Sequence, residues 1–294
     1  MKTTYLITLI CVAALLSSCA SKAKQKKKAE VELKPQLELV WESDSLMTTC
    51  ESVLYHKESG IIYVSNVNAS PWEIDHNGFV STMDTLGNIL ELKWMEGMSG
   101  PKGSGIVGNK FYVNDINRVV EIDMAAREIV NTYPVEDDPA LNDITVSKEG
   151  VVYVSGSASG SIYAIQNEKL DTVVTKEFGR LNGLLSKEEG MYYLTSAAGD
   201  FGLCNLDDGS TNVLTTELGH GDGIVKLPNG DFITSDWKGR VFYIYAKDWS
   251  KTLLLDTREQ GINAADIDFI ADQNLLLVPT FFHNRVMAYR LVFK

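Results

Sequence analysis

The sequence contains little cysteine and little histidine, with four residues of each among 294. No Cys-x-x-Cys pair and no histidine-rich tract is present, which argues against a structural zinc site. Cys11 and Cys19 lie in the first twenty residues. Cys50 and Cys204 remain, about four sequence repeats apart. If the repeats form a ring, residues about four repeats apart should lie too far apart in space for a disulfide. We therefore interpret both cysteines as small apolar fillers.

Several catalytic signatures are also missing from the sequence. The segment GSASG from Gly156 has alanine where a Gly-x-Ser-x-Gly nucleophile elbow has serine, and no Walker A sequence occurs. His220 lies two residues before Asp222, but one histidine beside one carboxylate does not form a catalytic triad. No stretch of ten or more residues within the repeats has a helical hydrophobic pattern, which argues against a helical domain.

The charge is strongly acidic after the first 35 residues. The chain has 27 basic and 39 acidic residues, of which residues 1–35 hold seven lysines and two glutamates. Residues 36–294 therefore carry 20 basic and 37 acidic residues, a net charge of −17. Nucleic-acid binding needs a basic face, so DNA and RNA are excluded as expected partners. An acidic surface suits cation binding, although a solvated acidic surface is the commoner explanation.

The first 18 residues have the pattern of a signal peptide. Lys2 precedes the apolar run 5–16, which is too short to span a bilayer. The following Leu16-Ser17-Ser18-Cys19 resembles the bacterial lipobox, which implies cleavage before Cys19 and its lipidation; an ordinary secretory signal is the alternative. Ala20 stands where an aspartate commonly retains lipoproteins at the inner membrane, which favours the outer membrane, facing the periplasm.

Residues 19–35 form a predicted flexible tether between the lipid anchor and the folded domain. Five lysines lie between Lys22 and Lys28, with almost no apolar residues, so the segment cannot bury a core. In a secreted lipoprotein such lysines are expected to rest near anionic lipid headgroups. The predicted domain then covers residues 36–294.

Six segments of the domain repeat one pattern, a short apolar run, a turn and a second apolar run. Equivalent positions are Tyr63, Tyr112, Tyr153, Tyr193, Ile233 and Leu277, at steps of 49, 41, 40, 40 and 44 residues. A strand-rich period near forty predicts an all-β, six-bladed β-propeller, with one four-stranded blade per repeat. Each blade buries its faces only against its neighbours, which favours one closed ring, expected to be a monomer, over two domains.

The sequence also predicts how the ring closes. The last repeat ends after its third strand, near Val292, and the segment 37–41 has no blade of its own. We therefore expect this N-terminal strand to complete blade six and remove two open sheet edges. The long first step places an insertion after Asn66, on a face where loops often shape a site.

The innermost strands begin with oxygen-bearing side chains at equivalent positions. These residues are Glu51, Asn142, Asn182, Asp222 and Asp266. Because inner strands line the central channel, equal positions should form one ring around its axis. Carboxylate and amide oxygens are ligands for hard cations such as Ca²⁺. Turn chemistry is the alternative, since Asn, Asp and Gly are common before strands.

With these residues in place, the chain resembles the SMP-30/gluconolactonase/LRE-like family of six-bladed propellers, and in particular a lipoprotein branch of it. The resemblance covers residues 36–294. It implies one divalent cation held by Glu51, Asn142, Asn182 and Asp222, with Ca²⁺ favoured and Mg²⁺, Mn²⁺ or Zn²⁺ as alternatives. It further implies hydrolysis of a sugar lactone, in which the cation polarises the carbonyl and Asp222 activates water or takes a proton.

One position departs from the family pattern. Lactonase members usually place an arginine two residues before the blade-three asparagine, and this chain has Ala140 there. Sugar-lactone specificity therefore does not carry over. Residues expected on the same face could contact substrate instead, namely Trp72, Lys102, Trp237 and His283. Each is individually more typical of a surface or packing residue.

Two function classes follow. The first is a lipid-anchored, metal-dependent hydrolase of a lactone or related ester. The second is a non-catalytic propeller that binds a small molecule, glycan, peptide or protein, with the cation stabilising the channel. Fold does not decide between them.

Overall fold

A computed structural model describes residues 33–294, which form 24 β-strands in six antiparallel four-stranded sheets. The predicted signal peptide, Cys19 and most of the tether lie outside the described residues. The sheets are the six blades of a β-propeller, so the predicted fold class is confirmed. One 3-10 turn, Ala271–Gln273, is the helical element of this part of the chain. Within residues 33–294, no helix is long and apolar enough to cross a membrane.

Blades one to five each use four consecutive strands, arranged in chain order from the channel outward. Blade one contains β2 Cys50–His56, β3 Ile61–Asn66, β4 Gly78–Met83 and β5 Ile89–Met98. Blade two contains β6 Pro101–Val107, β7 Lys110–Asp115, β8 Arg118–Asp123 and β9 Glu128–Pro134. Blade three contains β10 Leu141–Val146, β11 Val152–Gly156, β12 Ser161–Gln166 and β13 Lys169–Thr175.

Blade four contains β14 Leu181–Lys187, β15 Gly190–Thr195, β16 Phe201–Cys204 and β17 Thr211–Thr215. Blade five contains β18 Gly221–Lys226, β19 Phe232–Asp236, β20 Arg240–Ile244 and β21 Lys251–Asp256. Blade six combines β22 Asp268–Ile270, β23 Leu275–Pro279 and β24 Val286–Phe293 with β1 Pro35–Glu42.

The ring closes as the sequence predicts. Strand β1 pairs antiparallel with β24 along its length, from Pro35 opposite Phe293 to Glu42 opposite Met287. Leu37 packs against the core between blades five and six, while Trp41 packs against the core between blades six and one. The first strand therefore joins the two ends of the ring by backbone pairing and by apolar contact.

The hydrophobic core lies between the blades. Buried Val, Ile, Leu, Met and aromatic residues of the second and third strands pack against the neighbouring blade in separate clusters. Tyr63, Trp94 and Phe111, from blades one and two, have ring centroids 5.0–5.7 Å apart. Cys50 and Cys204 are both buried free thiols, consistent with their interpretation as fillers.

Removal of β1 tests the importance of ring closure. A protein that begins at Asp44 should show a melting temperature more than about 10 °C below one that begins at Leu33, because the β24 edge and both neighbouring cores become exposed. Circular dichroism during heating would measure the difference. Equal melting temperatures would show that the ring does not depend on this pairing.

Candidate functional site

A β-bulge recurs at the start of the inner strand in blades one to five. In each blade the register with the second strand shifts by one residue, for example between Leu181 and Leu184 or between Gly221 and Ile224. The extra residue lies where the sequence places the candidate ligands, so two successive residues face the channel instead of one. Bulges of this kind commonly re-aim side chains next to functional sites.

The bulges bring most of the predicted site residues to one cavity at the start of the inner strands. This cavity has a volume of about 500 Å³. The predicted residues that line it are Glu51, Asn142, Asn182, Asp222, Trp72, Lys102 and Trp237. His283 lies within the described part of the chain but is not among the lining residues. A larger cavity of about 750 Å³ is lined by later residues of the inner strands, nearer the other mouth of the channel.

Three of the four predicted ligands offer buried oxygen atoms with no hydrogen-bond partner among the described residues. They are Glu51 Oε2, Asn182 Oδ1 and Asp222 Oδ1. Leaving such atoms unpaired in a buried site costs free energy, so we expect them to bind a further partner. A hard cation is a partner that oxygen atoms alone can bind. The donor set therefore fits Ca²⁺ or Mg²⁺.

The candidate site does not have the composition of a transition-metal centre. Within residues 33–294, no group of three or more His, Cys, Asp or Glu side chains is placed to hold a metal ion. The ring at this cavity supplies two carboxylates and two amides instead, a set that favours Ca²⁺ or Mg²⁺ over Zn²⁺.

Glu51, Asn142, Asn182 and Asp222 form what we call the upper ring of the channel. Asp266 does not join this ring, contrary to the expectation from its sequence position. Blade six has no bulge in its inner strand, so Asp266 lies one level further along the channel than Asp222. Ser52 donates to Asp266 Oδ2 at 2.6 Å, and Asp266 lines the larger cavity. Asp143, the residue after Asn142, also faces this second level and accepts from the backbone N–H of Leu184 at 2.6 Å.

The channel carries an excess of negative charge. Glu51, Asp143, Asp222 and Asp266 lie close enough to interact with one another, while Lys102 is the buried ammonium beside Glu51. Burial and the charge of Asp222 raise the pKa of Glu51 well above its usual range. Burial and the charge of Asp266 raise the pKa of Asp222 in the same way. Burial raises the pKa of Asp266 to about 7. These shifts reflect burial in the first place and repulsion between neighbouring carboxylates in the second.

Lys102 connects the ring to the blade-one insertion. Its Nζ donates to Pro71 O at 2.9 Å and to Gly100 O at 3.0 Å, and it lies 4.2 Å from the centroid of the Trp72 ring. Burial lowers the pKa of Lys102 to about 8, against the opposing influence of Glu51. The lysine thereby holds the insertion over the cavity by two hydrogen bonds and a cation–π contact.

Two buried aspartates position the backbone segments that lead into the inner strands of blades two and five. Asp115 Oδ1 accepts from the backbone N–H groups of Ser99 and Gly100, just before Lys102. Asp236 Oδ1 accepts from the N–H of His220, two residues before Asp222. Each of these aspartates ends the second strand of its blade, and each also forms an ion pair with an arginine. They fix backbone geometry and do not line the central cavity.

Sequence reasoning missed several residues that line the cavity. Arg180, Ser196, Ala197, Phe281 and Phe282 are among these residues, and His220 and Lys238 line the cavity as well. Arg180 lies two residues before Asn182, the offset at which an arginine was sought in blade three, and its guanidinium carbon is 5.8 Å from the Trp72 ring centroid. Applying the same offset to every blade would have found it.

Aromatic rings form one wall of the cavity. Trp237 packs edge-on against Phe281 and Phe282 at centroid distances of 5.3 and 6.0 Å. Trp72 stands on another side, 40% exposed. The cavity therefore combines a polar floor of ring oxygens, positive groups from Lys102 and Arg180, and an aromatic rim. Such a cavity suits a small molecule with polar and apolar parts.

Comparisons with known proteins support the fold alone. Among the solved structures that are similar are a catalytically inactive virginiamycin B lyase from Staphylococcus aureus with quinupristin, and a streptogramin B lyase. The first has a TM-score of 0.61 and 12% identity, over 89% of this chain and all of the other. The second has a TM-score of 0.62 and 13% identity, over 89% and 98%. No protein-family model and no curated protein matches the chain, so the resemblance to the SMP-30/gluconolactonase family stays a prediction.

Cation binding should stabilise the fold measurably. With Ca²⁺ at about a hundred times its Kd, linkage gives roughly 2.7 kcal/mol, or about 5–10 °C in melting temperature for a domain of this size. Asp222→Asn should lose most of that shift because it removes one ligand charge.

Asp207→Asn is the matched control, since it removes the same charge from an exposed turn and should retain the full shift. Differential scanning calorimetry with Ca²⁺ and with chelator makes the comparison. An identical melting temperature in both conditions would contradict a functional cation at this cavity.

Proposed function

We propose that this protein is a lipid-anchored propeller whose central cavity binds a divalent cation, Ca²⁺ in the first place, and hydrolyses a lactone or related ester. The observation that carries the proposal is the set of unpartnered buried oxygens on Glu51, Asn182 and Asp222, which face one cavity together with an excess of carboxylate. The family resemblance, which implies the same ligands, supports the proposal as well.

The cation would be held by Glu51, Asn142, Asn182 and Asp222. When bound, it would supply Lewis-acid polarisation of a carbonyl oxygen. Trp72, Lys102, Arg180 and Trp237 would orient the ligand, since they line the remaining walls of the cavity. His283 is not needed for this arrangement.

Asp222 would take the proton from the attacking water. Its carboxylate lies in the cavity wall, where a water molecule beside a bound carbonyl could donate to the carboxylate oxygen that does not bind the cation. The water oxygen would then bond to the carbonyl carbon, the ring C–O bond would break, and the released oxygen would take that proton back from Asp222. The product is a hydroxy acid.

A non-catalytic binding propeller is the second candidate, and one observation favours it. Ala140 replaces the arginine that lactonase members use to hold substrate hydroxyls. In that case the ring oxygens would hold a structural cation, and the cavity would bind a small molecule or glycan without changing it.

A lactone panel separates the two candidates. In a comparison of Ca²⁺, Mn²⁺ and Zn²⁺, we expect turnover that is highest with Ca²⁺ and is abolished by chelation. It should fall at least a hundredfold in Asp222→Asn, because that variant loses the proposed base. Asp207→Asn should retain full activity. No turnover with any metal, alongside a clear Ca²⁺-dependent thermal shift, would favour the non-catalytic candidate.

Mass spectrometry of the products also tests for elimination, which the names of the two lyase neighbours suggest. Hydrolysis adds the mass of one water to the lactone, whereas elimination leaves the mass unchanged and forms a C=C bond. A product without added water would assign a lyase activity and overturn the hydrolase.

The lipid anchor can be tested separately. Cys19→Ser should move the protein from the detergent-extracted membrane fraction to the soluble periplasmic fraction, because no thioether-linked lipid can form. Cys11→Ser, within the predicted signal peptide, should leave the protein in the membrane fraction. Fractionation followed by immunoblotting makes the measurement. A membrane-bound Cys19→Ser protein would show that another feature anchors the chain.

A further inference from the structure

A third cavity, of about 430 Å³, lies beside the central one. Trp72 and Arg180 line both cavities and therefore form their shared wall. The other lining residues of this side cavity are Ile74, Ile116, Asn117, Pro139, Ala140, Ser157 and Ala158. The side cavity is therefore walled mainly by aliphatic groups, in contrast to the ring of carboxylates and amides in its neighbour.

The side cavity has walls fixed by buried hydrogen bonds. Asp138 is fully buried, and its Oδ1 accepts from the N–H of Ala140 at 2.9 Å and of Ala158 at 3.4 Å. Its Oδ2 accepts from Ser159 Oγ at 2.6 Å. One carboxylate thus ties the segment 139–140 to the turn 157–159, which are two sides of the cavity.

Ile116, on a third side, carries a backbone conformation that is rare for a β-branched residue. Its φ is +61° and its side chain is 4% exposed. Ile116 and Asn117 form the two-residue turn between β7 and β8, where a positive φ is common. This tight turn places the buried Ile116 in the wall of the cavity.

We propose that this side cavity is the subsite for an alkyl substituent of the same lactone or ester whose polar ring occupies the central cavity, an inference that rests on the proposed function. The shared Trp72 and Arg180 wall makes the two cavities neighbouring compartments for one molecule. Ala140 also lines the side cavity, and its small side chain takes up little of the space there. The substrate class is then an alkyl-substituted lactone, in place of a polyhydroxylated sugar lactone.

A homologous series of γ-lactones tests the proposal by direct binding, independently of turnover. Isothermal titration calorimetry in Ca²⁺ buffer would compare γ-butyrolactone, γ-hexalactone, γ-octalactone and γ-decalactone. Burial of each methylene contributes about 0.8 kcal/mol, so Kd should fall about four-fold per added methylene until the cavity is full.

Two variants that fill the side cavity should remove this gain. In Ala140→Leu, and in Ala158→Leu as a second and more exposed site, the gain should drop below about two-fold per methylene. Ala126→Leu makes the same change on an exposed turn outside the cavity and should keep the full gain. The Ca²⁺ thermal shift of each variant reports whether it is folded.

The outcomes distinguish this subsite from the hydrolase. Binding that strengthens with chain length without turnover would support the subsite and count against hydrolysis. Turnover without any dependence on chain length would support hydrolysis and overturn the subsite. A gain that persists in both cavity-filling variants, or no binding by any lactone, would also overturn the subsite.

Discussion

The approach of six inner strands to one axis is the constraint on which the rest of the structure depends. Little space remains between adjacent inner strands, so a Cβ at Gly183 would lie 2.1 Å from Asp222 O, and one at Gly223 would lie 2.4 Å from Ile267 N. Glycine is therefore required directly after Asn182 and Asp222, in blades four and five. In blades one and three, where the following residue is Ser52 or Asp143, the bulge accompanies a second polar side chain at the channel.

Crowding of acidic groups around the axis has an electrostatic consequence. Glu51, Asp143, Asp222 and Asp266 are held in a region where solvent cannot screen them fully, with Lys102 as the nearest buried positive group. Backbone N–H donors and Ser52 stabilise the lower carboxylates, whereas the upper ring keeps oxygens without partners among the described residues. The two levels of the channel thus differ in their hydrogen bonding, and the upper level offers its oxygen atoms to a ligand.

Loops on the same face of the propeller form the walls of two neighbouring cavities above this ring of polar side chains. Lys102 holds the blade-one insertion through Pro71 and Trp72, while Asp138 braces the blade-three loops. Trp72 stands between the two compartments and is flanked by two positive groups, Lys102 and Arg180. The polar central cavity and the apolar side cavity are lined by residues of different blades. They lie side by side only because the propeller brings those blades together.

The repeat period and the oxygen-bearing residues that begin the inner strands of every blade except blade two were readable in the sequence, because a propeller blade has a nearly constant length and its inner strand always faces the axis. The closing strand was predictable for the same reason, since a missing fourth strand leaves an unpaired edge. The fold and the gathering of Glu51, Asn142, Asn182 and Asp222 at one cavity follow from this pattern. Three features were decided by the tertiary structure and are not encoded in the repeat period. Blade six lacks a bulge, so Asp266 lies further along the channel than Asp222. Arg180 lies near Trp72, and His283 does not line the central cavity. Those outcomes depend on local register and on contacts between loops of different blades, which residue spacing along one chain does not determine.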